Sequence, residues 1–571
     1  MNTTFIFRFL LLSSLFFVSC DDDILDLPPE DQLVVDQFFN TAKDLEVATN
    51  DFYTMLPTTG TYTDDSSSDN IMSLTPAARI RGARIVPTQR GSGGWNWSRL
   101  RDINFFLEHY KQVENPDAQR HYGGIARFFR AYFYFDKVMQ FGDVPWYGEV
   151  LEAGDERLYK ARDSRVLVMD SIMADIDYAI ENIPAEVELN RITKYTAQIL
   201  KARIALFEGT FRKYHGISGG EAFLRAAATT AEDLMNSGAY SLYTIGGPEE
   251  AYRGLFARND QDAVETILAR DFDQELETHN LGYLMTAPTM GGWGMMKDAV
   301  NSYLLADGTR FTDLPGYETM GFYQEMQNRD PRLTQTTAGP GFKVSGSEEP
   351  EPVSLESSTT GYRIIKALPD RSQWSSSYFD VIIFRYAEAL LIYAEAKAEL
   401  GTLTQSDLDI SINLLRDRVG MPHLNMAQAN ANPDPYQESF YQNVDQGANK
   451  GVILEIRRER RIELFNEGLR WHDLMRWKEG KKLEQPMLGI YFPSLGAHDF
   501  DNDAKPDVYL HQGITTFINV LQRPLTEGTS GNMNPFGDGG KFDEAKDYYY
   551  PIPIEDLQLN KQLEQNPKWE H

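Results

Sequence analysis

Between residues 163 and 183 the chain repeats Met169, Ile172, Met173, Ile176, Ile180 and Ile183 on one face of a 3.6-residue period, which predicts an amphipathic helix. Asp163 stands at the capping position and Pro184 stops the helix. A partner starts at Thr193, runs through Ala197, Leu200, Ile204 and Phe207, and ends at Gly209. Residues 99–114 and 117–141 form another pair, broken at Asn115-Pro116 and closed by Gly142, and 221–237 makes a further helix. Helices paired through short turns bury their apolar faces on one another, and such pairs stack as a tetratricopeptide-like array. The expected fold class is therefore mainly α, with tetratricopeptide-like helix pairs and a large loop-rich part.

From about 240 to 375 the character changes to Gly, Pro, Ser, Thr and aromatic residues with only short apolar runs. Loops this long in a compact protein are functional or disordered, and the aromatic content points to ordered binding loops. Helices are expected again at 379–400 (closed by Gly401), 406–418 and 449–478, and the last hundred residues are loop-rich. The expected divisions are a segment 1–19, a tether 20–35, an N-terminal helical region 36–240 and a C-terminal region 241–571. Because helices occur at both ends with loops between, one intertwined body is expected.

Residues 1–19 read as a signal peptide, with one cation, Arg8, before an apolar run from Phe9 to Val18 that is too short to span a bilayer. The only cysteine, Cys20, follows directly after Ser19, which reads as a lipobox with acylation at Cys20, although Phe17 stands where such motifs usually have Leu. With no other cysteine, no internal disulfide is available and stability rests on burial. The formal net charge of −29 disfavours nucleic acid and anionic lipid surfaces as partners.

Three stretches carry chemistry. Residues 453–477 place Glu455, Arg458, Glu459, Arg460, Arg461, Glu463, Glu467 and Arg470 close enough to pair on a helix surface, so the arginines should hold the carboxylates ionised rather than prepare an acid/base site. The Gly-rich stretches around Trp95, Asn96, Tyr283 and Trp293, together with Trp374, suit a saccharide, whose flat C–H faces stack on exposed rings. Trp293, between Gly292 and Gly294, is expected to be exposed, and Trp97, beside a helix start, to be core. Asp499, Asp501, Asp503 and Asp507 alternate as Ca²⁺ ligands do, although Ala504 and Leu510 break the EF-hand pattern, so Ca²⁺ is an expected ligand only of this loop and no cofactor is required. HExxH and Walker motifs are absent. Two carboxylates would suffice for a glycan-cleaving enzyme, but nothing singles out a pair.

Several segments together resemble the SusD/RagB family of outer-membrane lipoproteins, which capture nutrients beside a TonB-dependent transporter. They are "FFRAYFYFDKVMQFGDVPWYGEV" (128–150), "FRYAEALLIYAEAKAELG" (384–401), "ILEIRRERRIELFNEGLRWHDLMRW" (453–477), "YYYPIPIEDLQLN" and "QNPKW". The resemblance implies four tetratricopeptide-like helix pairs, a loop-rich ligand-binding part and no catalysis. It also implies a glycan ligand, a SusC-like TonB-dependent transporter as partner, and a surface-exposed position on the outer membrane through the lipid at Cys20. A peptide or other non-sugar nutrient, or glycan cleavage after secretion, are the alternatives.

Overall fold

The computed structural model describes residues 39–290, 292–351, 355–444, 447–513, 521–524 and 528–569; Cys20, the signal segment and the tether lie outside them. Helix α1 (Ala42–Asn50) begins with a capping box in which Thr41 and Asp44 satisfy each other's backbone N–H groups. Helix α2 (Ser98–His109) precedes α3 (Pro116–Phe141), which starts where Asn115 accepts a hydrogen bond from the Ala118 N–H at 3.1 Å and ends at Gly142, φ +73°. Helix α4 (Arg165–Asn182) is capped by Ser164 rather than Asp163. The Asp163 carboxylate accepts from the Trp146 N–H at 2.7 Å instead, tying the turn after α3 to the start of α4.

Helix α5 (Lys194–His215) starts at Thr193 as expected but passes through Gly209 and ends at Gly216, φ +73°. Gly209 is a packing residue: a Cβ there would lie 2.8 Å from Leu224 Cγ, so its bare backbone lets α6 (Gly220–Asn236) approach. The α3–α4 and α5–α6 hairpins share one core, which includes Phe128, Ile172, Ile176, Leu200 and Leu234.

Sheets are small. Strand β1 (Ile71–Met72) and strand β2 (Thr266–Arg270) pair antiparallel with β3 (Gly294–Met295) and β4 (Val381–Arg385), respectively. The stretch 379–385, expected as the start of a helix, contains β4, and the helix proper is α7 (Tyr386–Glu399). Val381, Ile382, Ile383 and Phe384 are buried on both faces and rich in β-branching, which favours a covered strand over a helix turn. The helix expected at 406–418 is split into a short turn Gln405–Asp409 and α8 (Ile412–Arg418). The one expected at 449–478 becomes α9 (Lys450–Glu463) and α10 (Arg470–Arg476), separated at Asn466 (φ +60°) and Gly468 (φ +73°). A Cβ on Gly468 would lie 2.8 Å from the Thr61 carbonyl, so the break brings the chain against the residues before β1. Beyond it, β5 (Tyr491–Phe492), β6 (Gly496–His498), β7 (Val508–His511), β8 (Leu521–Pro524) and β9 (Gly531–Asn532) form a β5–β9 pair and a β6–β7–β8 sheet.

The helical core draws on both ends of the chain: Phe39, Ile125 and Ala231 share it with Leu390, Ile453 and Ile552. A second core, with Trp293, Val300, Tyr362 and Ile382, lies under the loop-rich residues. Charge joins the two. Arg385, at the junction of β4 and α7, donates to Glu265 and Glu463 at 2.8 Å each and to Glu467 at 2.6 Å. The pairs of the 453–477 block are thus buried, not on a helix surface, because neighbouring helices cover them. Burial alone would raise the pKa of Glu463, but Arg418, Arg385 and Arg332 hold it well below the usual carboxylate range. Glu467 and Asp473 shift the same way, overcoming burial through Arg385 and Arg460 respectively. Glu455 is the exception, since burial outweighs Arg416 and raises it.

Candidate functional site

The most exposed large ring among the expected ligand residues is Tyr283, 41% exposed on the short helix Leu281–Thr286. That helix lies directly on the turn carrying Trp374: a Cβ on Gly282 would meet the Gln373 carbonyl at 2.7 Å and Trp374 Cα at 3.0 Å. Gly282 also donates its N–H to Ser377 Oγ at 3.0 Å, so the two segments are fixed to each other. Trp374 is half-buried, and its indole N–H donates to the Pro369 carbonyl at 3.2 Å. The guanidinium carbons of Arg371 and Arg363 lie 5.3 and 5.6 Å from its ring centroid. Glu351 pairs with both arginines. Leu74 and Met290 are exposed as well, and Leu74 sits against the backbone of Gly292. At the Trp374 turn a half-buried ring thus lies beside the exposed Arg371 and its carboxylate partner Glu351, while Arg363 is buried, which suits a ligand with an apolar face and a polar edge.

Trp293 is not on the surface. Only 5% exposed, it belongs to the second core. Its flanking glycines serve close packing rather than an open loop, because Gly294 is in β3 and a Cβ there would lie 2.2 Å from Thr360 Oγ1. Trp95, 3% exposed, packs edge-on against Phe141 with centroids 4.8 Å apart, in the helical core. Asn96 is exposed, but its Oδ1 accepts from the Ser98 N–H and Oγ at 2.9 and 2.8 Å, organising the start of α2. Trp97, expected in the core, is half-buried and lines a separate cavity of about 360 Å³ with Tyr147, Arg101 and Glu149. Of the five expected ligand residues, the structure brings the segments of Tyr283 and Trp374 together, with Tyr283 exposed and Trp374 half-buried. Trp95 sits in the helical core, Asn96 is exposed at the start of α2, and Trp293 underlies the loops.

In the β6–β7 turn, carboxylate oxygens of Asp499, Asp501 and Asp507 lie within 4.8 Å of one another. Asp503 is not in that group; it pairs with Lys505 at 2.8 Å. The Asp499 carboxylate accepts from the N–H groups of Asn502 and Ala504 at 2.7 and 2.8 Å, which winds the loop around it. Partial burial, with Asp501 and Asp499 beside it, pushes the Asp507 carboxyl up to about 6. Three converging carboxylates suit a hard oxygen-seeking dication.

Sequence reasoning missed Arg363 and Arg371, whose placement around Trp374 depends on tertiary packing. It also passed over Gly216-Ile217-Ser218-Gly219-Gly220, which has the spacing of a serine-hydrolase elbow. The stretch joins α5 to α6 with Gly216 and Gly219 left-handed, and the elbow's strand-to-helix context is missing.

A model described as the SusD family matches residues 264–569, more than half of the chain, and one described as "Starch-binding associating with outer membrane" matches 24–206. SusD-like protein P38 of Formosa agariphila is 23% identical over 530 residues, covering 86% of this chain and 96% of its own. SusD-like protein P2 of the same organism is 24% identical over 508 residues, covering 82% and 90%. Among solved structures, a SusD-like protein of Bacteroides fragilis superposes with a TM-score of 0.70 at 21% identity, covering 95% of this chain and 99% of its own. A SusD-like carbohydrate-binding protein of the same organism gives 0.70 at 21% identity, covering 92% and 100%. With the motifs, the helix pairs and the family match running in one order along the molecule, the chain belongs to the SusD family.

Proposed function

We propose that the protein captures a glycan without cleaving it and passes it to a SusC-like TonB-dependent transporter. The observation that carries the reading is that the helix bearing exposed Tyr283 is seated through Gly282 on the turn of Trp374, whose half-buried ring lies beside the Arg371 guanidinium. A pyranose lays its C–H face on such rings and turns its hydroxyls to the arginine and carboxylate groups. The family's description as starch-binding and associated with the outer membrane supports both ligand class and location. In this reading Cys20, outside the described residues, carries the lipid that holds the protein at the cell surface. Non-covalent capture also accords with the 453–477 block, where Glu463, Glu467 and Asp473 are committed to arginine partners. Glycan-array binding by the wild type and by the Tyr283→Ala, Trp374→Ala double variant tests the assignment. Loss in the variant is expected, and unchanged binding would reject this face as the site.

A further inference from the structure

Beside Trp374 opens a cleft of about 700 Å³, and the Pro369 whose carbonyl takes the Trp374 indole N–H is part of its wall. Three cations line it: Arg253, Arg258 and Lys343. Most arginines in this chain of net charge −29 face a carboxylate, but among the described residues none of these three has one within 4.0 Å. Arg253 is the best fixed. Its Nε donates to the Ile365 carbonyl at 3.1 Å and its Nη2 to that of Leu368 at 3.3 Å, while the guanidinium carbon lies 5.2 Å from the centroid of Phe342. Both carbonyls belong to a turn whose Ala367 is left-handed at φ +63°, a conformation that a non-glycine residue adopts only where its surroundings impose it. Arg258 follows a second such residue, Ala257 at φ +54°, and is held by the Asp260 carbonyl and the Tyr243 hydroxyl. Burial, aided by the nearby positive charge of Arg363, lowers the Arg253 pKa to about 10, so it stays charged at neutral pH. The acids on the rim make no ion pair with it: Glu249 and Glu250 are exposed, Glu250 favouring the charged form less than burial opposes it, and the Asp370 carboxylate accepts from the Ser372 N–H and Oγ at 2.8 and 2.5 Å.

A guanidinium fixed by neutral carbonyls, with Nη1 free of any partner among the described residues, is a preorganised receptor for an anion. We infer that the captured glycan is acidic, and that a carboxylate or sulfate ester on it docks at Arg253, with Arg258 and Lys343 beside it, while an adjacent sugar stacks at Trp374. This rests on the glycan reading above and narrows it.

Calorimetric titration with three oligosaccharides of matched length, one bearing uronates, one sulfated and one neutral, tests it. At least one acidic probe should bind about tenfold more tightly than the neutral one, and Arg253→Gln should remove that preference while leaving neutral binding unchanged. Which acidic probe responds tells carboxylate from sulfate. Should Arg253→Gln fail to fold by circular dichroism, the Arg258→Gln, Lys343→Gln variant and a salt series replace it, since both side chains can be changed without touching the carbonyl cradle. Neutral affinity equal to or above acidic affinity, or a variant that keeps the full acidic preference, would overturn the inference while leaving the glycan reading standing. Failure of all three probes, with glycan-array binding also absent, would bring down both.

Discussion

The guanidinium carbon of Arg457 lies 4.3 Å from the ring centroid of Trp477, and Tyr214 and Tyr441 complete an aromatic box at 5.1 and 5.2 Å. The side chain is fully buried, and none of its three nitrogens makes a hydrogen bond among the described residues. Charge balance comes from Glu399 at 3.7 Å and, above about pH 7, from Glu479 at 3.5 Å. Ring quadrupoles and two carboxylates thus replace the hydrogen bonds a guanidinium normally requires. Arg457→Ala should destabilise the protein by about 3–5 kcal/mol, because it strands buried carboxylates. Arg457→Lys should recover only part of that, since an ammonium lacks the flat face that stacks on Trp477. Urea denaturation checks both, and equal stability of Arg457→Lys and wild type would refute the role of stacking.

Glu479 gives a pH signature. Burial raises its pKa to about 7, against the opposing effects of Arg457 and the Asn443 and Gln442 N–H groups. The unfolded chain releases that proton near pH 4.5, so between 4.5 and about 7 the folded state alone holds it, and folding stability falls as pH rises through that window. Glu479→Gln should remove about 3 kcal/mol of this dependence. Melting curves of the two proteins from pH 4.5 to 8 should therefore diverge, and parallel curves would contradict the assignment.

The rings separate into binding and packing roles. Trp293→Ala should cost about 3–5 kcal/mol in denaturant unfolding, as large core truncations do. Tyr283→Ala, at an exposed ring, should leave stability within about 0.5 kcal/mol and lower glycan affinity about tenfold. A destabilised Tyr283→Ala protein, or a stable Trp293→Ala one, would reverse the assignment.

For the β6–β7 turn we propose Ca²⁺ binding by Asp499, Asp501 and Asp507. Added Ca²⁺ should then raise the melting temperature, Asp501→Asn should abolish the rise, and Asp503→Asn should retain it because Asp503 is engaged with Lys505. The effect should fade as pH falls through about 6, where Asp507 takes up its proton. A melting temperature indifferent to Ca²⁺ would dismiss the site.

Helix pairing was legible because periodicity and caps are local: Asn115, Thr193 and Gly142 act within one turn of the residues they terminate. What local pattern could not reveal was the purpose of a glycine. Gly209, Gly294 and Gly468 have no Cβ because another chain segment passes close by, and that neighbour is absent from any short window. The same holds for the site. Tyr283 and Trp374 could be proposed as residue types, but the proximity of their segments depends on Gly282 meeting a turn some ninety residues later. Trp95 is core rather than exposed, and Trp97 packs against the same core while half-buried, because the residues around α2 pack against α3 and residues near 556–563, which periodicity does not encode.

The sharing of the helical core with residues several hundred positions later bears on folding during synthesis. Ile552 is part of that core, Asn566 Nδ2 donates to the Phe141 carbonyl at 3.1 Å, and Arg84 pairs with Asp547 at 2.9 Å. Contacts spanning more than four hundred residues cannot form until the later partner has been synthesised. The helix pairs therefore complete their packing only after residues 547–566 have been made.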